Sequence, residues 1–124
     1  DGDGDVDVLS ASGSDNTVAW YENDGAQSFT KRIISASAGG AYAVFAIDLD
    51  GDGDVDPLSA SPSDDTVAWY ENGDAQSFTE RIISTTADFA TSVFAIDVDG
   101  DGDVDVLSAS GSDNTVAWYE NDGA

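Results

Sequence analysis

Three tryptophans, Trp20, Trp69 and Trp118, stand 49 residues apart, and Asp3, Asp52 and Asp101 keep the same interval. Residues 1–49 and 50–98 agree at 36 of 49 positions, and residues 1–26 are identical to residues 99–124. The middle copy departs from both at Pro57, Pro62 and Asp65, as expected of a longer unit made of two alternating copies. A period of this length means that one supersecondary unit is written repeatedly, each copy burying its apolar surface against its neighbours. With no methionine and a repeat cut at either end, the chain reads as a segment of a longer array.

The clearest copy, residues 43–91, alternates short apolar runs with turn signals. Strands are expected at 43–47, 55–61, 66–71 and 78–83. They are separated by an Asp/Gly loop, by Pro62-Ser63-Asp64-Asp65 and by Asn72-Gly73-Asp74. Residues 36–41, small and glycine-containing, are a connector rather than a helix. In Val67-Ala68-Trp69-Tyr70 apolar side chains fall on both faces of a strand, so the sheet must be covered on both sides. Small four-stranded sheets of that kind, at a period near 50 residues, are β-propeller-type blades. The expected architecture is all-β, about two and a half such blades in tandem, part of a larger propeller or of an open blade array. A partial blade occupies 1–42 (strands two to four and connector), a complete one 43–91, and a partial one 92–124 (strands one to three). Pro57 replaces Val8 and Val106 of the other copies, and its missing N–H confines the ladder to residues after 57. The Trp-Tyr pairs, set mid-strand among Val and Ala, are expected between blades rather than on a sugar-stacking surface.

The chain carries 26 Asp and Glu against three basic residues, Lys31, Arg32 and Arg81, for a net charge of −23. Nucleic acid and an anionic membrane surface would both repel it. No apolar run approaches the roughly 20 residues needed to cross a bilayer. Yet 40% of the residues are hydrophobic, too many for a disordered acidic tail. The negative charge is therefore expected to be offset by bound cations. Cysteine and histidine are both absent, which removes thiolate and imidazole metal sites and the usual general base. Ser59 and Ser61 have no base near them in sequence, so a non-catalytic protein is expected.

The cation loop is explicit. Asp48-Leu49-Asp50-Gly51-Asp52-Gly53-Asp54-Val55-Asp56 and Asp97-Val98-Asp99-Gly100-Asp101-Gly102-Asp103-Val104-Asp105 both fit D-x-D-x-D-G-x-x-D. Ca²⁺ takes six to eight oxygens, and acids at positions 1, 3 and 5 of a curled loop can surround one ion. Glycine at position 6 allows the turn, position 7 offers its carbonyl, and the position-9 carboxylate closes the sphere. Side-chain ligands are therefore expected from Asp48, Asp50, Asp52 and Asp56, with Asp54 through its carbonyl. The next loop uses Asp97, Asp99, Asp101 and Asp105, with Asp103 likewise. The first copy retains Asp1, Asp3 and Asp7, with Asp5 as carbonyl donor. One Ca²⁺ per blade follows, and Mg²⁺ fits less well because it keeps more of its waters. An EF-hand would need Glu at position 12, where Ser59 and Ser108 stand, and helices in place of these Val-, Ile- and Phe-rich flanks.

The run VFAIDLDGDGDVDPLSAS followed by TVAWYEN closely resembles the FG-GAP/VCBS repeats of secreted proteins, and the loops are similar to those of integrin alpha-chain propellers. The resemblance spans the chain. It implies an extracellular or cell-surface setting, blades usually closed into seven-bladed propellers, and a role in adhesion, scaffolding, or glycan or protein binding. Neighbouring blades of the same or identical chains are then the first partners, and a calcium-stiffened, polymeric or filamentous assembly is one expected form. A glycan- or protein-binding module on a closed propeller is the other. Tyr42 and Phe89, in the variable connectors, are the better candidates for contact with such a ligand.

Overall fold

The computed structural model describes residues 2–73 and 76–123, which form β-strands and no helix. The strands are β1 (Val8–Ser12), β2 (Thr17–Asn23), β3 (Phe29–Ser35), β4 (Ala43–Ile47), β5 (Asp56–Ser61), β6 (Thr66–Gly73), β7 (Ser77–Ser84), β8 (Ala90–Ile96), β9 (Asp105–Ser110) and β10 (Thr115–Tyr119). They make three antiparallel meanders: β1-β2-β3, the four-stranded β4-β5-β6-β7, and β8-β9-β10. The sheets stack in chain order, β4 against β1 and β8 against β4 and β5, as an open, unclosed array.

Apolar residues do fall on both faces of the middle sheet, and each face is buried against a different neighbour. Val44 and Tyr70 pack toward the first sheet with Val18, Ala38 and Ala41. Leu58, Ala60, Val67 and Trp69 pack toward the third with Val93, Ala95 and Val106. The Trp-Tyr pairs follow this rule. Trp20 and Tyr70 are buried between sheets, while Trp118, on the outer side of the third sheet, is 45% exposed. The Tyr70 hydroxyl is satisfied inside by Ser59 Oγ at 3.1 Å, a pairing repeated by Tyr119 and Ser108 at 3.3 Å.

Pro57 behaves differently on its two sides. It pairs with Ala46 of β4, so β5 begins at Asp56, before the proline. Toward β6 the ladder starts only at Leu58↔Trp69, whereas Val8 and Val106 pair with Tyr21 and Tyr119. The missing N–H thus removes one rung from one side. A β-bulge recurs where Val18 pairs with Ser35 but Ala19 with Ile33, and again where Val67 pairs with Ser84 but Ala68 with Ile82. The extra residue is Ile34 or Ile83, and each packs into an inter-sheet core. The bulge turns the second isoleucine of each pair inward.

At one end of the stack the connectors are hydrogen-bonded to the turns. Ala38 N–H donates to Asn16 O at 3.0 Å and Ser63 N–H to Gly39 O at 3.1 Å, so this connector joins two neighbouring sheets. Gly40 N–H donates to Asn16 Oδ1 at 2.9 Å and Gly39 N–H to Asp64 Oδ2 at 2.9 Å. The next connector repeats the scheme through Asp65 and Phe89. Gly40 has φ +67°, and its counterpart Phe89 has φ +59°. A bulky side chain in the left-handed region costs about 1–2 kcal/mol, which asparagine tolerates better. Phe89→Asn is therefore expected to raise stability by about 0.5–1 kcal/mol, seen as a higher urea midpoint at unchanged m-value. A lower midpoint would show that the packing of Phe89 on Gly111 outweighs the strain.

Candidate metal centre

Each loop lies at the other end of the stack, where the first strand of a repeat turns into the second. Gly51 and Gly53 have φ +78° and +99°, and Gly100 and Gly102 repeat this at +86° and +102°. A Cβ would meet nothing within 4 Å at any of them, so it is the backbone conformation that calls for glycine here, not lack of space.

The loop aspartates hold the curl by accepting from its own amides. Asp48 accepts from Gly51 N–H at 2.8 Å and Gly53 N–H at 3.1 Å. Asp50 accepts from Asp52 N–H at 3.2 Å, and Asp52 from Asp54 N–H at 2.8 Å. The third repeat copies these bonds through Asp97, Asp99 and Asp101, and Asp3 accepts from Asp5 N–H at 2.8 Å in the first. The curl gathers oxygens of Asp48, Asp50 and Asp52 within 4.8 Å of one another, and those of Asp97, Asp99 and Asp105 likewise.

The position-9 aspartates are of another kind, since Asp56 and Asp105 are almost wholly buried. Asp56 accepts from Leu49 N–H at 2.9 Å on one oxygen and from Asn72 N–H at 2.8 Å on the other. Asp105 is bonded in the same way to Val98 and Asn121, and Asp7 accepts from Asn23 N–H at 2.8 Å. At Asp56, one bond per oxygen leaves acceptor capacity for a cation. Burial pushes the Asp56 carboxyl above its ordinary value, against its two amide donors and with added repulsion from Asp50 and Asp52. At Asp105 the amides of Asn121 and Val98 outweigh burial and hold the carboxyl below that value. A cation beside Asp56 would oppose both the burial penalty and the repulsion.

Position 7 points elsewhere. A Cβ on Gly25 would fall 2.5 Å from Asp5 Oδ2, and one on Gly123 would fall 2.3 Å from Asp103 Oδ2, so these side chains lie against the turn beyond the loop. Asp54 borders a cleft of about 540 Å³ between the first and middle sheets, with Trp20, Pro57 and Phe78. Asp1 lies outside the described residues.

The asparagine closing TVAWYEN, expected from sequence only to start a turn, clamps the loop. Besides the amide bonds to position 9, Asn23, Asn72 and Asn121 donate through Nδ2 to the position-8 carbonyls of Val6, Val55 and Val104 at 3.1, 3.1 and 3.2 Å. The signal was its recurrence at a fixed offset of 16 from position 9. The arrangement as a whole suits a hard, oxygen-seeking cation: acceptors only, preset by backbone bonds.

Among known protein families, the FG-GAP-like repeat matches residues 1–59 and again residues 48–108. No curated protein and no solved structure matches the chain.

Proposed function

The chain belongs to the FG-GAP-like repeat family, and from that premise we propose that it is a non-catalytic, calcium-binding structural or adhesion module of propeller-type blades, working outside the cell with one Ca²⁺ per blade. The reading is carried by one observation. Equivalent loops in successive repeats gather three carboxylates each within 4.8 Å, in a chain with a net charge of −23. Asp48, Asp50, Asp52 and Asp56 would hold one ion, and Asp97, Asp99, Asp101 and Asp105 the next. Bound there, the ion supplies charge neutralisation and cross-links the two strands that flank the loop. Extracellular modules of this chemistry bind calcium at about 10⁻⁴–10⁻³ M, which matches the calcium outside cells rather than within them.

Calorimetry tests the reading directly. Calcium is expected to fill both complete loops with dissociation constants of about 1 mM or tighter. Asp52→Ala is expected to weaken its own site at least about tenfold while the loop around Asp101 binds as before. No heat of binding at millimolar calcium would overturn the proposal. A glycan- or protein-binding role has its own support in the connectors, where Tyr42 is 68% and Phe89 50% exposed, at the end of the stack opposite the metal loops.

A further inference from the structure

The loop around Asp52 and the loop around Asp101 border a cleft of about 470 Å³ between the middle and third sheets. Leu49, at the second position of the middle loop, is 7% exposed and belongs to the core that Val93, Ala95 and Val106 of the third sheet share with the middle one. Its backbone is engaged on both sides. The Leu49 N–H donates to Asp56 Oδ2 at 2.9 Å. The Leu49 carbonyl accepts from Asn121 Nδ2 of the third repeat at 3.5 Å, a bond between residues 72 positions apart.

Asn121 is placed to hold two loops at once. Its N–H donates to Asp105 Oδ1 at 2.8 Å and its Nδ2 to Val104 O at 3.2 Å, both within its own repeat. Its Oδ1 accepts from Gly123 N–H at 3.2 Å. That bond settles which way round the amide lies, so the NH₂ group, with two hydrogens to give, faces the carbonyls of Val104 and Leu49. A line of bonds thus runs from the buried carboxylate of Asp56 through Leu49 and Asn121 to the buried carboxylate of Asp105.

We infer that Asn121 is a positioning residue for the metal site of the preceding repeat, so that the loop of Asp48, Asp50, Asp52 and Asp56 is completed by a side chain from the next sheet. The inference rests on the calcium reading above. Leu49 stands between two of the expected ligands. Its N–H belongs to the peptide that leaves Asp48, and its carbonyl to the peptide that leads into Asp50. Peptide units are planar, so a bond at each one sets the direction in which the neighbouring carboxylate is presented. Without the bond from Asn121 the second plane loses its restraint, and an ion must order Asp50 as it binds. Partners behind metal ligands act by this means, presetting the ligand rather than touching the ion.

The test uses the whole chain. In an Asp101→Ala background, calcium titration by calorimetry reads the loop around Asp52, and adding Asn121→Ala is expected to weaken it about three- to tenfold. Asn121→Asp, which keeps the shape and removes the donor, is the second variant and is expected to act alike. Tyr119→Phe removes a hydroxyl bond in the same repeat without touching Leu49. In the same background it is expected to leave the loop around Asp52 unchanged, which tells a loosened joint from a lost support. The other readout needs no calcium. In chelator, the NMR signals of the Leu49 carbonyl carbon and the Asp50 amide are expected to shift in Asn121→Ala and to stay in place in Tyr119→Phe. Circular dichroism matching the parent shows that each variant folds. Unaltered calcium affinity on adding Asn121→Ala overturns the inference, as do unmoved Leu49 and Asp50 signals, or an equal loss of affinity in Tyr119→Phe. Calcium heat absent from the parent itself overturns the function proposed above, while the NMR signals still report the bond, so the two readings fail separately.

Discussion

Chelating calcium is expected to lower the melting temperature of this chain by about 15–20 °C relative to a solution at one hundred times the dissociation constant. A ligand bound only to the folded state adds about 2.7 kcal/mol per site at that concentration. The two complete loops together then contribute about 5 kcal/mol, a large share of the total stability of a domain this size. One kcal/mol moves the midpoint by about 4 °C at this length. The physical origin lies in the curl: amide bonds hold Asp48, Asp50 and Asp52 close together, and without a counter-ion they repel inside a loop that cannot open without losing those bonds. Paired thermal melts decide the matter. Identical curves with and without chelator would mean that the loops contribute nothing to folding through an ion.

Asp56→Ala is expected to cost about 3–5 kcal/mol even with the metal removed, because it strands the buried amides of Leu49 and Asn72 without acceptors at about 1–3 kcal/mol each and opens a void. Asp52→Ala, whose exposed carboxylate accepts one bond from Asp54 N–H, is expected to cost about 1 kcal/mol or less under the same conditions. Urea unfolding of both variants in chelator separates the two roles. If they prove equally mild, the bonds beneath the loop are dispensable. Asp56→Asn, which keeps the shape and one acceptor, is expected to fall between them.

Much of this was legible because the period exposes it. Strands at 43–47, 66–71 and 78–83 could be placed from alternation and turn residues, and they match β4, β6 and β7 within two residues. The two-sided covering followed from Val67 and Trp69 against Ala68 and Tyr70. The bulges did not show, since Ile33-Ile34 and Ile82-Ile83 read equally well as uninterrupted strand, and only the partner's register makes one of each pair extra. Nor did the pattern distinguish Asp56 from Asp48: spacing lists them alike, but the amides that bury Asp56 come from Leu49 and Asn72, and the latter stands on another strand. The connectors look featureless as ASAGGA because their role is made by backbone groups, which sequence does not spell out.

The loops gather their charge along one edge of the stack, while the straps from Ala38, Gly40 and Phe89 tie the opposite edge. Like charges spread along one border of a stack laced at the other act as a lever, prying neighbouring sheets apart about a fixed hinge line. The curvature of the stack is therefore expected to follow its ionic surroundings: screening or neutralising the charged border would let it straighten, and stripping counter-ions away would bow it toward the laced side. Shape would in this sense be an electrostatic variable, tuned by the solution without any change in the fold of a single sheet.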